Sequence, residues 1–287
     1  MMQGRVIKNI SNHYVINDNN HNYEAMAMGK IRLDKAVMVG DNVEFDKMDD
    51  RYMITKILPR KNELKRPPIA NVDQAIIVMS AVDPDFSTTL IDRLIFVIAY
   101  ASIKPLLCVT KLDLVSTDSH VYGYIQDYKD SGYEVYTSGK DFSTEAIEDA
   151  LTGKVSILTG QSGAGKSTLI NRIDERFDIK TQKTSKALGR GKHTTRHSEL
   201  YAINGGWLGD TPGFSSLDFD NIDITLLAER ILDFKDYQHH CRFNNCIHLN
   251  EPGCAVKAAV EKGAVVKYRY QHYCDIVNNL KNQKKKY

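Results

Sequence analysis

Nine consecutive residues, Gly160-Gln161-Ser162-Gly163-Ala164-Gly165-Lys166-Ser167-Thr168, set three glycines, a lysine and two adjacent hydroxyls in the pattern G-x4-G-K-S. This is the spacing of a phosphate-binding loop. Glycines at 160, 163 and 165 let the backbone take φ > 0 and turn its N–H groups toward an anion, and a helix starting near Lys166 adds the positive end of its dipole. Lys166 is then the catalytic cation expected to reach the β- and γ-phosphates of a bound nucleotide, with the Ser167 hydroxyl offered to Mg2+. The loop needs a strand before it and a helix behind it. Val155, Ile157 and Leu158 supply the first pattern, and Leu169, Ile170 and Ile173 the second.

A second group lies upstream. The apolar run KPLLCVT ends in Thr110-Lys111-Leu112-Asp113, and YEVYTS ends in Ser138-Gly139. A buried Asp113 carboxylate would accept two hydrogen bonds from guanine N1–H and the 2-amino group, and would be left unpaired by adenine. The Lys111 stem is expected across the base, and Ser138-Gly139 is expected to bring a backbone N–H to guanine O6. Downstream, Thr194 and Thr195 sit in a polar, glycine-bearing segment with no apolar periodicity. They are candidates to place a hydroxyl on Mg2+ and an N–H on the γ-phosphate, ordering the loop in the triphosphate state. Asp210-Thr211-Pro212-Gly213 follows two short strands; Asp210 is expected to hold magnesium through water and the Gly213 N–H to sense the γ-phosphate.

A third group is Cys241-x4-Cys246-x-His248-x5-Cys254. Three thiolates and an imidazole match a closed, structural tetrahedral Zn2+ site. By spacing alone His239 and His240 compete with His248 for the fourth position.

The elements that must carry these groups fall into three domains. Residues 1–63 hold five short strand patterns broken by turn chemistry, GRVIKNI, YVIND, YEAMAMGKI, VMVGDNVEF with Gly40-Asp41-Asn42 inside it, and YMITKIL, with a turn at Asn19-Asn20 and no helical period. That predicts an OB-type β-barrel, a class that often binds oligonucleotides; Pro59 to Pro68 reads as a linker. Residues 64–222 alternate buried strands with helices, predicting an α/β domain with a parallel sheet and ligands at the strands' carboxyl ends. Residues 223–287 hold the cysteine cluster and a helix with the stripe Val266, Tyr270, Tyr273, Val277, Leu280; Cys108 and Cys274 read as packing residues.

Charge is unevenly spread. Residues 1–66 carry 12 Lys+Arg against 9 acids, 223–287 carry 11 against 7, and 67–222 carry 15 against 20, although 180–197 holds six basic residues and no acid. Basic flanks suit a polyanion such as RNA. No apolar run approaches the roughly 20 residues of a membrane span and no signal-peptide core is present, so a soluble cytoplasmic protein is expected.

Taken together, these motifs resemble the circularly permuted ribosome small subunit-dependent GTPases, the RsgA family. T-K-x-D and T-S-G precede the phosphate loop here, whereas Ras-like GTPases place them last. The resemblance covers the whole chain. It implies GTP hydrolysis to GDP and phosphate, binding to the 30S subunit and 16S rRNA during late maturation, Mg2+ with the nucleotide, and structural zinc with His248 as the fourth ligand. A monomer is expected. One departure is Thr110, where the base motif commonly has Asn. Phe214 occupies the position of the water-orienting glutamine of Ras-like enzymes, which predicts slow intrinsic hydrolysis. The family's G-R-H-T-T motif maps onto Gly191-Lys192-His193-Thr194-Thr195, so the resemblance makes His193 the residue that positions water. An alternative from another class is an RNA-binding assembly factor whose nucleotide is only a structural ligand; a nucleotide-dependent kinase lacks a visible second substrate signature.

Overall fold

A computed structural model of the chain describes residues 1–29, 31, 36–65, 68–177, 199–210 and 222–284. They form two compact units: Met1–Ala75 with Thr144–Leu158 and Lys166–Phe214, and Ile76–Ser143 with Thr159–Gly165 and Ser215–Tyr287.

In the first unit, β1 (Met2–Ile10), β2 (His13–Asn17), β3 (Asn22–Ala27), β4 (Asn42–Met48) and β5 (Arg51–Ile57) pair in the order β1-β2-β3-β5-β4, and a β1–β4 ladder closes the ring. β3 and β5 run parallel and the other neighbours antiparallel, the pairing of an OB-type barrel. Alternating side chains fill it: Val6, Ile16, Val43, Phe45 and Ile54 are fully enclosed, with the Tyr23, Phe45 and Tyr52 rings stacked edge to face or tilted. Closure leaves no free strand edge.

The sequence reading needs two corrections here. The pattern 37–45 is not one strand: the chain turns at Gly40, whose φ is +90°, and β4 starts at Asn42. A Cβ on Gly40 would lie 2.0 Å from the Ala70 carbonyl, so close approach of another backbone interrupts the strand. That backbone lies two residues past the supposed linker, whose segment Glu63–Lys65 (β6) pairs antiparallel with β7 (Pro68–Ala70). Arg60 fixes it by a bidentate pair with fully buried Asp41, Nε to Oδ1 at 2.6 Å and Nη2 to Oδ2 at 2.7 Å. The unit also contains β11 (Val155–Gly160) up to Leu158, the hairpin β12 (Glu199–Ile203) and β13 (Gly206–Asp210), and a helix over Glu145–Leu151 that periodicity had not revealed. β12 pairs with β1 at Lys8↔Glu199, where the two side chains form an ion pair at 2.9 Å.

In the second unit β8 (Gln74–Ser80), β9 (Lys104–Thr110) and β10 (Glu134–Thr137) are neighbours in the order β10-β9-β8, with β9 and β10 parallel. All seven residues of β8 are buried, as a strand covered on both faces requires. The helix Thr88–Tyr100 starts at Ser87, whose hydroxyl accepts the Leu90 N–H at 3.2 Å. Helices His120–Asp130, Ile224–Arg230, Ala255–Glu261 and Lys267–Lys284 complete the unit.

Candidate nucleotide site and metal centre

The phosphate loop leaves β11 at Gly160, whose φ is +121° and where a Cβ would stand 2.0 Å from the Val78 carbonyl. Only glycine fits against β8 at that distance. Gly163 and Gly165 also have positive φ, +81° and +86°, so the loop bends back on itself with Ala164 buried beneath it. Helix Lys166–Ile173 continues directly from it and buries Leu169 and Ile170; Ser167 is half-buried and Thr168 exposed in its first turn. Burial holds the Lys166 ammonium below the ordinary lysine value. A partly desolvated lysine at a helix N-terminus favours an anionic neighbour.

The upstream motif meets this loop. Thr110, buried at the carboxyl end of β9, donates its hydroxyl to the Ala164 carbonyl at 2.6 Å and lies 3.2 Å from the Met79 carbonyl. Lys111 follows with φ 58° and ψ 29°, a left-handed residue that turns the chain out of the sheet, and its ammonium donates to the Asp83 carbonyl. Asp113 lies on the short helix Leu112–Leu114 and is exposed, not buried as the sequence reading supposed, because this turn lies past the end of the sheet. Its Oδ1 is 2.5 Å from where a Cβ on Gly139 would stand, and Phe142 closes the other side at 2.9 Å. Glycine at 139 therefore lets the carboxylate sit against the backbone of the neighbouring loop. Ser138, buried, donates its N–H to the Val109 carbonyl at 2.8 Å and accepts from the Leu112 N–H at 3.4 Å, so Thr110, Asp113 and Ser138-Gly139 share one strand-end cluster. The sequence reading missed Asp83 and Phe142 as members of this cluster; no motif flags them, since one acts through its backbone and the other through packing.

Asp210 ends β13, and its side chain lies outside the described residues. His193, Thr194, Thr195 and Gly213 also lie outside them.

Cys241, Cys246, His248 and Cys254 come together with all four ligand atoms within 4.8 Å of one another. His248 Nδ1 is 3.6 Å from Cys241 Sγ and 3.4 Å from Cys254 Sγ, and the two sulfurs are 3.9 Å apart. Tetrahedral Zn–S and Zn–N bonds place ligand atoms about 3.6–3.8 Å apart, so the donor set fits zinc. His239 and His240 are outside the cluster. Burial lowers the His248 pKa to about 4, keeping the ring neutral, the form that ligates. The supports are specific: Cys241 Sγ accepts the Ala255 N–H at 3.3 Å, Cys254 caps the helix Ala255–Glu261, and the Glu251 carboxylate accepts N–H groups of Ile247 and Leu249 on either side of the histidine. Tyr270 and Tyr273 donate hydroxyls to the His248 and Ile247 carbonyls at 2.6 and 2.7 Å. Two members of the apolar stripe on the last helix thus steady the ligand loop.

The same helix carries Arg269, 1% exposed, which pairs with Asp233 at 2.7 Å and with Asp92, and lies over the rings of Tyr128 and Tyr133 at 4.4 and 4.8 Å. Asp92 also accepts the Tyr128 hydroxyl at 3.0 Å and faces His272 Nδ1 at 2.6 Å. This network fastens the C-terminal helix to the helices that flank β8–β10.

Among the described residues no helix is long and apolar enough to cross a membrane. Residues 57–220 match the RsgA GTPase family and residues 3–52 the RsgA N-terminal domain family. The chain is 42% identical over 292 residues to the small ribosomal subunit biogenesis GTPase RsgA 1 of Listeria monocytogenes serotype 4b (strain F2365), with all of both chains covered. The crystal structure of YloQ, a circularly permuted GTPase, superposes with a TM-score of 0.83 at 36% identity over 99% of this chain and 96% of that one. That of YjeQ from Thermotoga maritima gives 0.84 at 30% identity over 97% and 98%.

Proposed function

The chain belongs to the RsgA family of GTPases, and from that premise we propose that it binds the small ribosomal subunit in its GTP state, assists late subunit maturation, and leaves when GTP is hydrolysed. The observation that carries the nucleotide part is the joint between Thr110 and Ala164, because it ties a guanine-type motif encoded before the loop to the loop itself. Relatives named as small ribosomal subunit biogenesis GTPases support the partner.

In this reading Asp113 accepts from the guanine N1–H and 2-amino group, Lys111 covers the base, and Ser138-Gly139 lies at O6. The loop from Gly160 to Gly165 wraps the phosphates, with Lys166 on the β- and γ-oxygens and Thr168 in the adjoining turn. Mg2+, when bound, supplies charge neutralisation between those phosphates; Ser167, Thr195 and Asp210 are the residues that would hold it. Thr194 and Gly213 would contribute N–H groups to the γ-phosphate, and His193 would orient the attacking water, since Phe214 cannot. A missing glutamine would leave the isolated enzyme slow and let the subunit accelerate it. Zinc would sit on Cys241, Cys246, His248 and Cys254 as a structural ion. The barrel of residues 1–63 and the C-terminal module of 223–287 would grip 16S rRNA, with the GTPase domain of 64–222 between them in sequence, in a cytoplasmic monomer.

The test is GTP and ATP turnover with and without purified 30S subunits at two salt concentrations. Stimulation of GTP turnover alone, weakened by salt, is the expected result. Binding without turnover would instead favour an assembly factor with a structural nucleotide, and transfer to another acceptor a kinase.

A further inference from the structure

The first unit contains a polar cavity of about 500 Å3 where β1 and the turn after β2 meet the β12–β13 hairpin. Arg5, Asn17, Asp18, Asn42 and Trp207 are among its walls. Asp18 keeps its charge, but its carboxylate is committed to its own turn, accepting the N–H groups of Asn20 and His21 at 2.9 and 2.8 Å and the Tyr23 hydroxyl at 3.0 Å. Asn17 is likewise engaged in its own turn, with the Asn19 N–H and the Asn22 carboxamide. Arg5 differs. Its guanidinium is half-buried, and among the described residues it has one long hydrogen bond, from Nε to Asn42 Oδ1 at 3.5 Å. The carboxylate whose charge it feels is Asp73, already held by Lys61 and by the Val155 N–H at 2.7 Å. Burial accordingly lowers the Arg5 pKa. A half-buried guanidinium with no carboxylate in ion-pair reach among the described residues is matched by a phosphate, which takes its planar donors in pairs.

Trp207 supplies the second element. It is half-buried, and its backbone is held on both edges, opposite Val155 in one ladder and Ala202 in the other, which fixes where its side chain leaves the sheet at the cavity wall. A flat aromatic face beside a phosphate-seeking fork, with carboxamides around it, is the chemistry that takes an unstacked base and its phosphate. The volume lies in the range of ligand pockets and holds one nucleotide, not a duplex.

We propose that this cavity receives a single nucleotide unit, its phosphate on Arg5 and its base on Trp207, presented by a single-stranded segment of RNA. The RNA source rests on the function proposed above; the pocket chemistry does not.

Trp207 is the sole tryptophan of the chain, so its fluorescence reports this cavity alone. The experiment titrates intact, zinc-replete protein, saturated with GDP to fill the guanine site, with a five-residue oligouridylate, with UMP and with inorganic phosphate. The expected result is quenching by the oligonucleotide, a roughly tenfold or greater loss of affinity in Arg5→Gln, an intermediate loss in Arg5→Lys, and unchanged basal GTP turnover in both variants. No quenching, equal affinity in Arg5→Gln, or inorganic phosphate binding as tightly as the oligonucleotide overturns the proposal; UMP matching the oligonucleotide overturns RNA as the source. Absence of GTP turnover in the unaltered protein would instead report failure of the GTPase reading, independently of the fluorescence.

Discussion

The Thr110 hydroxyl donates to the Ala164 carbonyl at 2.6 Å, joining two motifs that stand 54 residues apart in the chain. A hydroxyl has one proton to donate where the more usual asparagine has two, so here the single bond goes to the loop, and the Met79 carbonyl at 3.2 Å is the weaker contact. Thr110→Val keeps the shape and removes the donor, leaving a buried carbonyl unpaired. The expected cost is about 1–2 kcal/mol, seen as a lower melting temperature and a GDP affinity reduced roughly tenfold by calorimetry. Unchanged GDP affinity would mean that the joint does not shape the loop.

Glycine substitutions should separate close approach from backbone strain. Gly160→Ala drives a methyl into the Val78 carbonyl, which is backbone of a buried strand and cannot move aside. Gly263→Ala, at φ +75°, meets nothing within 4 Å. The first should abolish nucleotide binding; the second should cost about 1 kcal/mol of stability and leave binding intact. Nucleotide titrations of both variants, with melting curves, check this.

Motif residues were legible in the sequence because their spacing is dictated by the ligand, and the strands that carry them because β8 and β9 are continuous apolar runs. The barrel was legible from its period, but its fourth strand was read too long, since the contact of Gly40 with Ala70 that interrupts it comes from residues 30 positions away. Arg269 was invisible for the opposite reason. A charged residue on an amphipathic helix reads as solvated, and only the fold shows that Asp92, Asp233 and two tyrosine rings surround it. Asp113 was read as buried and lies exposed, because sequence gives the strand end and not the depth of the turn beyond it.

Arg269 offers a stability test. Arg269→Met strands two buried carboxylates and should cost about 3–5 kcal/mol, whereas an exposed arginine such as Arg176 should cost little. Burial pushes the Asp233 carboxyl up, yet the Arg269 charge and hydrogen bonds outweigh it and hold the group below the usual carboxylate range. With the folded value below the unfolded one, the unfolded chain takes the proton first as pH falls. The contribution of the pair is therefore complete above about pH 5, begins to fall near pH 4 and is lost as pH drops through the depressed folded value. Melting temperatures of the parent and Asp233→Asn, followed from neutral pH down to below about pH 4, should differ at neutral pH and converge in acid.

Zinc is tested by metal content. Protein purified without chelator should hold about one zinc per chain, and Cys254→Ser or His248→Ala should lower that occupancy and melt the C-terminal module at a lower temperature. Zinc-free protein of unchanged stability would remove the assignment, whatever the turnover.

The central claim is that a guanine base is held by a carboxylate encoded upstream of the phosphate loop. Two hydrogen bonds to a charged acceptor, at about 1.5–3 kcal/mol each, should favour GDP over ADP by a factor on the order of 10² to 10⁴. Calorimetry of intact, zinc-replete protein and of Asp113→Asn with GDP, ADP and XDP measures it. The account predicts that preference in the parent, and in Asp113→Asn its loss together with a gain for XDP, whose C2 carbonyl accepts from the new carboxamide. A parent that binds ADP as tightly as GDP, or a variant that keeps the parent's preference, would contradict it.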